Sequence, residues 1–147
     1  ARRALERTLE LSPDFYLPRY FLGVVNLQDH KLEEGIANLR EAAVLSPGDD
    51  ETKAALGYAY AVSGRKNDSQ QALKELKEQS KRRRVSACYM AVVSVGLGKT
   101  GEAFAWLEKA FKERDSVLPW VGMEPMFDPL RSDPRFRDLL LRVGLSM

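Results

Sequence analysis

One stretch of this chain contains the residue types of a phosphate-binding loop. Gly96-Leu97-Gly98-Lys99-Thr100 carries the string Gly-Lys-Thr. The complete motif needs a further glycine five residues before Gly98, where Val93 stands instead, and it should follow a strand, whereas this string ends a helical pattern. The string therefore predicts a turn between two helices and not a nucleotide site.

The remaining chemically versatile residues are isolated. His30 is the single histidine and Cys88 the single cysteine, so no histidine cluster, disulfide or pair of soft metal ligands can form within the chain. Carboxylates such as Glu33, Glu34 and Glu102 are scattered over presumed outer faces of helices. We expect Cys88 to be a small packing residue and His30 a solvated turn residue. No catalytic, cofactor or metal site is predicted, and we do not expect an enzyme.

Lys81-Arg82-Arg83-Arg84 is the densest run of charge and could contact phosphate groups. Aromatic residues do not alternate with these charges as base stacking would favour, and the net charge of the chain is only +2. We interpret the run as a solvated junction between helices. A nucleic-acid-binding helical repeat that uses residues 81–84 is the alternative function.

The elements that must position these residues repeat every 34 residues. Leucine recurs at this interval at Leu5, Leu39, Leu73 and Leu107, and a period of this length is typical of stacked helical hairpins. Apolar spacing and turn residues predict first helices at about 15–28, 50–63 and 85–97, and second helices at about 32–45, 69–79 and 101–114.

Small residues recur in phase with these leucines. Gly23, Gly57 and Ala91 lie in the middle of the first helices, where a glycine costs about 0.5–1 kcal/mol relative to alanine. Gly35, Ser69 and Ala103 begin the second helices. We expect the two sets to face each other where the helices of a hairpin approach closely.

These residues together resemble the tetratricopeptide repeat (TPR) family over residues 1–117. The matching positions are Leu22-Gly23, Gly35, Leu39, Ala42 and Pro47, then Leu56-Gly57, Tyr60 and Leu73, then Ala91, Ala103, Leu107 and Ala110. The resemblance implies an all-α, right-handed superhelical solenoid of antiparallel helical hairpins with a C-terminal helical cap. Its units would be a partial repeat at 1–15 and repeats at 16–49, 50–83 and 84–117.

After residue 117 the period fails, since the next leucine-glycine position holds Glu124-Pro125. Residues 118–147 are expected to cap the array with one or two short helices. Asp128-Pro129 and Asp133-Pro134 are both typical of helix starts, and a last helix is predicted at 134–143. The side chains expected to cover the last hairpin are Trp120, Phe127, Leu130, Phe136, Leu139 and Leu140. This segment resembles the C-terminal ends of bacterial repeat proteins attached to signalling modules.

The first helices of such an array line a concave groove, which in this family binds peptides. The resemblance implies peptide-binding positions at Leu17, Tyr20, Val24, Leu27, Gln28, Tyr58, Ala61, Val62, Cys88 and Val92, and the same register includes Glu51 and Ala54. The lysine, asparagine and arginine set with which some relatives grip a C-terminal carboxylate is missing. We therefore expect a non-catalytic protein–protein interaction scaffold, part of a larger signalling or regulatory protein, that binds an apolar or amphipathic peptide or helix.

The first residues read as the second helix of a hairpin whose first helix is missing. Ala4, Leu5, Thr8 and Leu11 would then expose an apolar face, through which the truncated repeat could self-associate. A single cysteine fits a reducing compartment, and no apolar run reaches the roughly 20 residues of a membrane span. These features predict a cytoplasmic protein without a membrane partner.

Overall fold

The computed structural model describes residues 2–144, whose regular structure is entirely helical. The predicted all-α array of helical hairpins is therefore confirmed for these residues. Two 3₁₀ helices, Leu118–Met123 and Pro125–Leu130, separate the last two of eight α-helices. The α-helices are α1 (Arg2–Leu11), α2 (Tyr16–Gln28), α3 (Leu32–Leu45), α4 (Asp50–Val62), α5 (Lys66–Gln79), α6 (Ala87–Gly96), α7 (Thr100–Lys112) and α8 (Pro134–Val143).

The turn inside each hairpin has the same backbone geometry in all three repeats. Its central residue has a positive φ, which is 60° at His30, 86° at Gly64 and 74° at Gly98. The next amide bonds back five residues, from Lys31 to Asn26, from Arg65 to Tyr60 and from Lys99 to Ser94. His30, Gly64 and Gly98 stand 34 residues apart, so the Gly-Lys-Thr string forms a hairpin turn, as predicted.

Two helix starts differ from the sequence-based expectation. The second helix of every hairpin begins two residues after the positive-φ residue, so α5 starts at Lys66 and not at Ser69. The first helix of the third hairpin starts at Ala87 and not at 85, because Ser86 caps it by accepting a hydrogen bond of 3.1 Å from the Cys88 amide.

The repeating leucines and small residues form the helix contacts. Leu39 and Leu107 are fully buried. A Cβ atom added at Gly23 would lie 2.7 Å from Cγ of Leu39 and 3.1 Å from the carbonyl oxygen of Gly35, so these two glycines do face each other across the α2–α3 hairpin. A Cβ atom at Gly57 would lie 2.8 Å from Val93 of the next repeat. Glycine at these positions therefore permits the close approach of helices.

The C-terminal part contains three short helices where one or two were expected. Asp133-Pro134 begins α8 as predicted, and Asp133 accepts a hydrogen bond of 2.9 Å from the Arg135 amide. Asp128-Pro129 instead lies inside the second 3₁₀ helix, so its assignment as a helix start is wrong. That helix begins four residues earlier, at Glu124-Pro125, where Glu124 accepts a hydrogen bond from the Met126 amide.

The N-terminal helix α1 contains no buried residue. Arg2 ties it to α2 through the buried side chain of Asn26 and through Asp29. Of the four residues expected to be open, Ala4 is exposed, Leu5 and Thr8 are half-buried, and Leu11 is 71% exposed. Within residues 2–144, no helix combines the length and the apolar character that crossing a membrane would require.

Candidate peptide-binding groove

The concave side of the array is built by α2, α4 and α6, and residues 118–130, here called the cap segment, cross it. The second 3₁₀ helix of this segment packs against α6. Phe127 is buried and stacks on Phe136 of α8 with ring centroids 6.1 Å apart. Val121 and Met126 are buried as well. These three buried side chains anchor the cap segment, which divides the groove into two cavities.

The first cavity has a volume of about 590 Å³ and lies between the three first helices and the cap segment. Met126 closes it on the side of the second cavity, Phe127 also lines it, and Trp120, which is 65% exposed, stands at its rim. Its other lining residues are Tyr20, Glu51, Ala54, Cys88, Tyr89, Val92, Ser116, Val117, Val121 and Glu124.

The second cavity, of about 560 Å³, lies on the other side of the cap segment. Met126 lines both cavities, which shows that the segment separates them. The remaining lining residues of the second cavity are Val24, Leu27, Gln28, His30, Tyr58, Pro125, Asp128 and Pro129. His30 is exposed, in agreement with its expected place in a turn.

Seven of the ten sequence-predicted groove residues line one of these cavities. Tyr20, Cys88 and Val92 line the first, and Val24, Leu27, Gln28 and Tyr58 line the second. Leu17, Ala61 and Val62 line neither of the two. Leu17 and Val62 are exposed outside them, and Ala61 packs beside Gly96 of the next repeat.

The groove is more enclosed than the sequence-based prediction of exposed positions along the first helices implied. Tyr20, Leu27, Cys88 and Val92 are buried, because each packs in the helix core and the cap segment covers the groove above them. Trp120 was expected to cover the last hairpin and does not, since most of its surface stays open at the cavity rim. Phe136, Leu139 and Leu140 are buried as expected.

Sequence reasoning missed the walls that the cap segment supplies, above all Val121 and Glu124, and it missed Tyr89 on α6. The helical register placed Cys88 in the groove. The aromatic residue next to it in the sequence, Tyr89, was the signal from which a second wall residue on α6 could have been predicted. The cap segment lies outside the 34-residue repeat. The repeat pattern therefore contains no information on where the side chains of this segment pack against the groove.

Burial and nearby carboxylates raise the pKa values of titratable groups that line the first cavity. Burial raises the pKa of Tyr20 far above its ordinary value, and the Glu51 carboxylate raises it further. The pKa of Tyr89 is raised by burial first and then by Glu51. Burial also raises the pKa of Glu124, and Glu51 adds to this, while the hydrogen bond from the Met126 amide opposes it.

Cys88 has the properties of a packing residue. Burial raises the pKa of its thiol to about 12, so the thiolate that a nucleophile requires is scarce at neutral pH. Among residues 2–144, no group of three or more histidine, cysteine, aspartate and glutamate side chains is arranged to hold a metal ion. The chemistry of the first cavity is therefore that of apolar contact, aromatic rings and two carboxylates.

The basic run at 81–84 lies at a junction between repeats. Arg83 donates hydrogen bonds of 2.5 and 2.7 Å to the carboxylate of Asp50 at the start of α4, and one of 3.2 Å to the carbonyl oxygen of Gly48. Arg84 donates to the carbonyl oxygen of Glu113. Two of the four cations thus contact the chain itself.

Comparison with known proteins agrees with this architecture. A family model described as tetratricopeptide repeat matches residues 2–121. A search of curated proteins gave no match. Repeats of this family are in general protein–protein interaction modules. With three hairpins, their repeated turns and a family match over most of its length, the chain belongs to the tetratricopeptide repeat family.

Proposed function

We propose that this chain is a non-catalytic protein–protein interaction scaffold that binds an apolar or amphipathic peptide or helix in its groove. The observation that carries the proposal is the first cavity, which is open beside the cap segment and has an exposed tryptophan at its rim. Exposed aromatic side chains beside a pocket are typical centres of binding energy in protein interfaces.

The cap segment itself supports this choice of guest. It is a short stretch of the chain that buries Val121, Met126 and Phe127, and its second 3₁₀ helix packs against α6. The groove thus accommodates an apolar segment in the folded chain, and a guest peptide would extend the same kind of contact into the space beside it. Leu17, Ala61 and Val62 would be reached only by a guest that runs past both cavities.

Two further roles belong to the proposal. The repeats serve a larger signalling or regulatory protein, in the cytoplasm, where a lone buried thiol such as Cys88 stays reduced. The N-terminal part of the chain associates with an apolar surface of another molecule, and a second copy of the same chain can supply that surface. Leu11, Phe15 and Phe21 support this role because all three are exposed between α1 and the middle of α2.

The test is selection of binders from a random peptide display library on the whole chain. We expect saturable binding of selected peptides, weakened more than about fivefold by Trp120→Ala, since truncation of a rim aromatic removes a large contact. Val44→Ala is the matched control, because Val44 is an equally open apolar residue on α3. A selected peptide that loses affinity equally in both variants, or a selection without saturable binders, would contradict the groove assignment.

A further inference from the structure

The lining of the first cavity has charge of one sign only. Among its thirteen residues are two carboxylates, Glu51 and Glu124, and no lysine, arginine or histidine. This contrasts with the chain as a whole, which has a net charge of +2. The cavity is therefore an acidic site in a slightly basic protein.

The two carboxylates are available to a guest. Neither side chain forms an ion pair with another residue in the described range 2–144. Arg131 lowers the pKa of Glu124 but binds elsewhere, to the Asp128 carboxylate at 2.6 Å and to the backbone carbonyl of Glu124 at 3.3 Å. Within the described part of the chain, the Glu124 carboxylate accepts one hydrogen bond, from the Met126 amide to Oε1, so it keeps acceptor capacity.

The surrounding charges strengthen the negative potential. Asp115 and Asp49 both act on Tyr89 at the cavity wall, and Asp115 also acts on Cys88. Glu51 acts on Glu124, whose pKa burial raises first and the Glu51 carboxylate raises further. Glu124 is half-buried and Glu51 is exposed, and the charge of Arg131 opposes the effect of Glu51 on the pKa of Glu124. A guest cation near the two carboxylates would add to that favourable charge and relieve their repulsion.

Aromatic rings complete the site. Tyr20, Tyr89 and Trp120 line the same cavity as the two carboxylates. The faces of tyrosine and tryptophan attract ammonium and guanidinium groups, and the aliphatic wall formed by Ala54 and Val92 suits the apolar stem of a long basic side chain. A metal ion is a poorer match, since no cluster of three ligating side chains is present in the described part of the chain.

We infer that the first cavity takes the side chain of an arginine or lysine, which pairs with Glu51 and Glu124 while its stem packs among Tyr20, Tyr89 and Trp120. The inference rests on the proposed function, because the basic residue belongs to the apolar or amphipathic peptide proposed to lie in the groove. The peptide would therefore combine apolar residues with one obligatory cation, and the cation would set its position along the groove.

The experiment uses amidated nonapeptide pools that are randomised except at the centre, which is arginine, lysine, glutamine, leucine or glutamate. Binding of each pool to the whole chain is measured for wild type, for Glu51→Gln/Glu124→Gln and for Trp120→Ala. The matched control is Glu78→Gln/Glu102→Gln, which removes the same charge from two exposed sites on α5 and α7. Circular dichroism verifies that all four proteins are folded.

We expect the arginine and lysine pools to bind at least about tenfold more tightly than the glutamine, leucine and glutamate pools. That preference should disappear in Glu51→Gln/Glu124→Gln and persist in the control. If the leucine pool binds best and Trp120→Ala weakens it, the groove binds peptides but the inference of a cation site is overturned. If no pool binds wild type better than Trp120→Ala, the proposed function fails together with the inference.

Discussion

At the scale of single residues, the group with the least favourable environment in the site is the Glu124 carboxylate. It is half-buried, it begins the second 3₁₀ helix by accepting the Met126 amide, and it faces Glu51 and Asp128. Burial, assisted by these two carboxylates, raises its pKa. A group with this environment binds its proton more tightly in the folded chain than in the unfolded chain, so its ionisation works against folding.

We therefore predict that Glu124→Gln stabilises the protein at pH 7. The glutamine carbonyl can still accept the Met126 amide, and the ionisation penalty is absent. In wild type this penalty grows as the pH rises from the ordinary glutamate pKa of about 4.3 through the raised pKa of folded Glu124. The difference between the two proteins in urea-unfolding midpoint should thus be largest at pH 7 and vanish below about pH 4.

Glu78→Gln serves as the control, because Glu78 is exposed on α5 and outside the groove. This substitution should leave the urea-unfolding midpoint nearly unchanged, both at pH 7 and below about pH 4. A Glu124→Gln protein that is less stable than wild type at pH 7 would show that the negative charge at this position is stabilising, in contradiction to the prediction.

At the scale of elements, the spacing between helices depends on a few small side chains. Gly23 and Gly35 let α2 and α3 approach until Leu39 packs directly over the α2 backbone. Ser69 occupies the position of Gly35 in the second hairpin, where it is fully buried and its hydroxyl has no hydrogen-bond partner in the described residues. The second hairpin keeps a small residue there even though its polar atom is unsatisfied, which indicates that volume is the stronger requirement at this position.

Gly23→Ala should lower the free energy of unfolding by about 1–3 kcal/mol, because its new methyl group would lie 2.7 Å from Leu39 and 3.1 Å from the Gly35 carbonyl oxygen. Gly101→Ala is the matched control. It lies in the first turn of α7, is exposed, and has no atom within 4 Å of the place that the new methyl group would occupy. There alanine should be neutral or stabilise by up to about 1 kcal/mol, owing to its higher helix propensity. Denaturant unfolding of both variants measures the contrast, and equal effects would refute the packing argument.

At the scale of the whole molecule, the two ends of the array differ. At the C-terminal end, α8 lies on α7, where Arg135 stacks over the Phe104 ring at 4.3 Å and Arg142 over the Phe111 ring at 4.5 Å. At the N-terminal end α1 buries no residue, and the segment from Leu11 to Phe21 exposes several large apolar side chains. Repeat arrays need polar or covered ends to remain monomeric, so the N-terminal end is the expected site of association.

We predict concentration-dependent association of this chain, which Leu11→Gln/Phe15→Gln abolishes. These two residues are 71% and 59% exposed, so their replacement removes apolar surface without opening the core. Sedimentation velocity over a wide concentration range measures the effect. Val44→Gln/Leu141→Gln removes two similarly exposed residues elsewhere and should leave association unchanged. A chain that stays monomeric at every concentration would contradict this prediction.

The sequence alone determined the repeat architecture, because a helix period and a hairpin turn are local properties. Leu39 and Leu107 lie in the core as their register predicts, and α3 begins and ends at the expected residues, 32 and 45. The last helix could also be predicted, since Asp133-Pro134 and Gly144 act on the backbone next to them. The expected start of α5 was wrong because the hairpin turn sets it, that of α6 because Ser86 caps it, and that at Asp128-Pro129 because a 3₁₀ helix already begins at Pro125.

The form of the groove was decided by tertiary structure. The register identified groove positions such as Tyr20, Glu51 and Cys88 on the first helices, but the opposite wall, with Trp120 and Glu124, comes from a segment that lies outside the repeat. Where such a segment docks depends on contacts between residues distant in sequence, here Phe127 with Phe136 and the second 3₁₀ helix with α6. Hydrophobic contact is non-directional. The apolar side chains of segment 118–130 therefore predict that the segment is buried, but they do not specify which surface of the protein buries it.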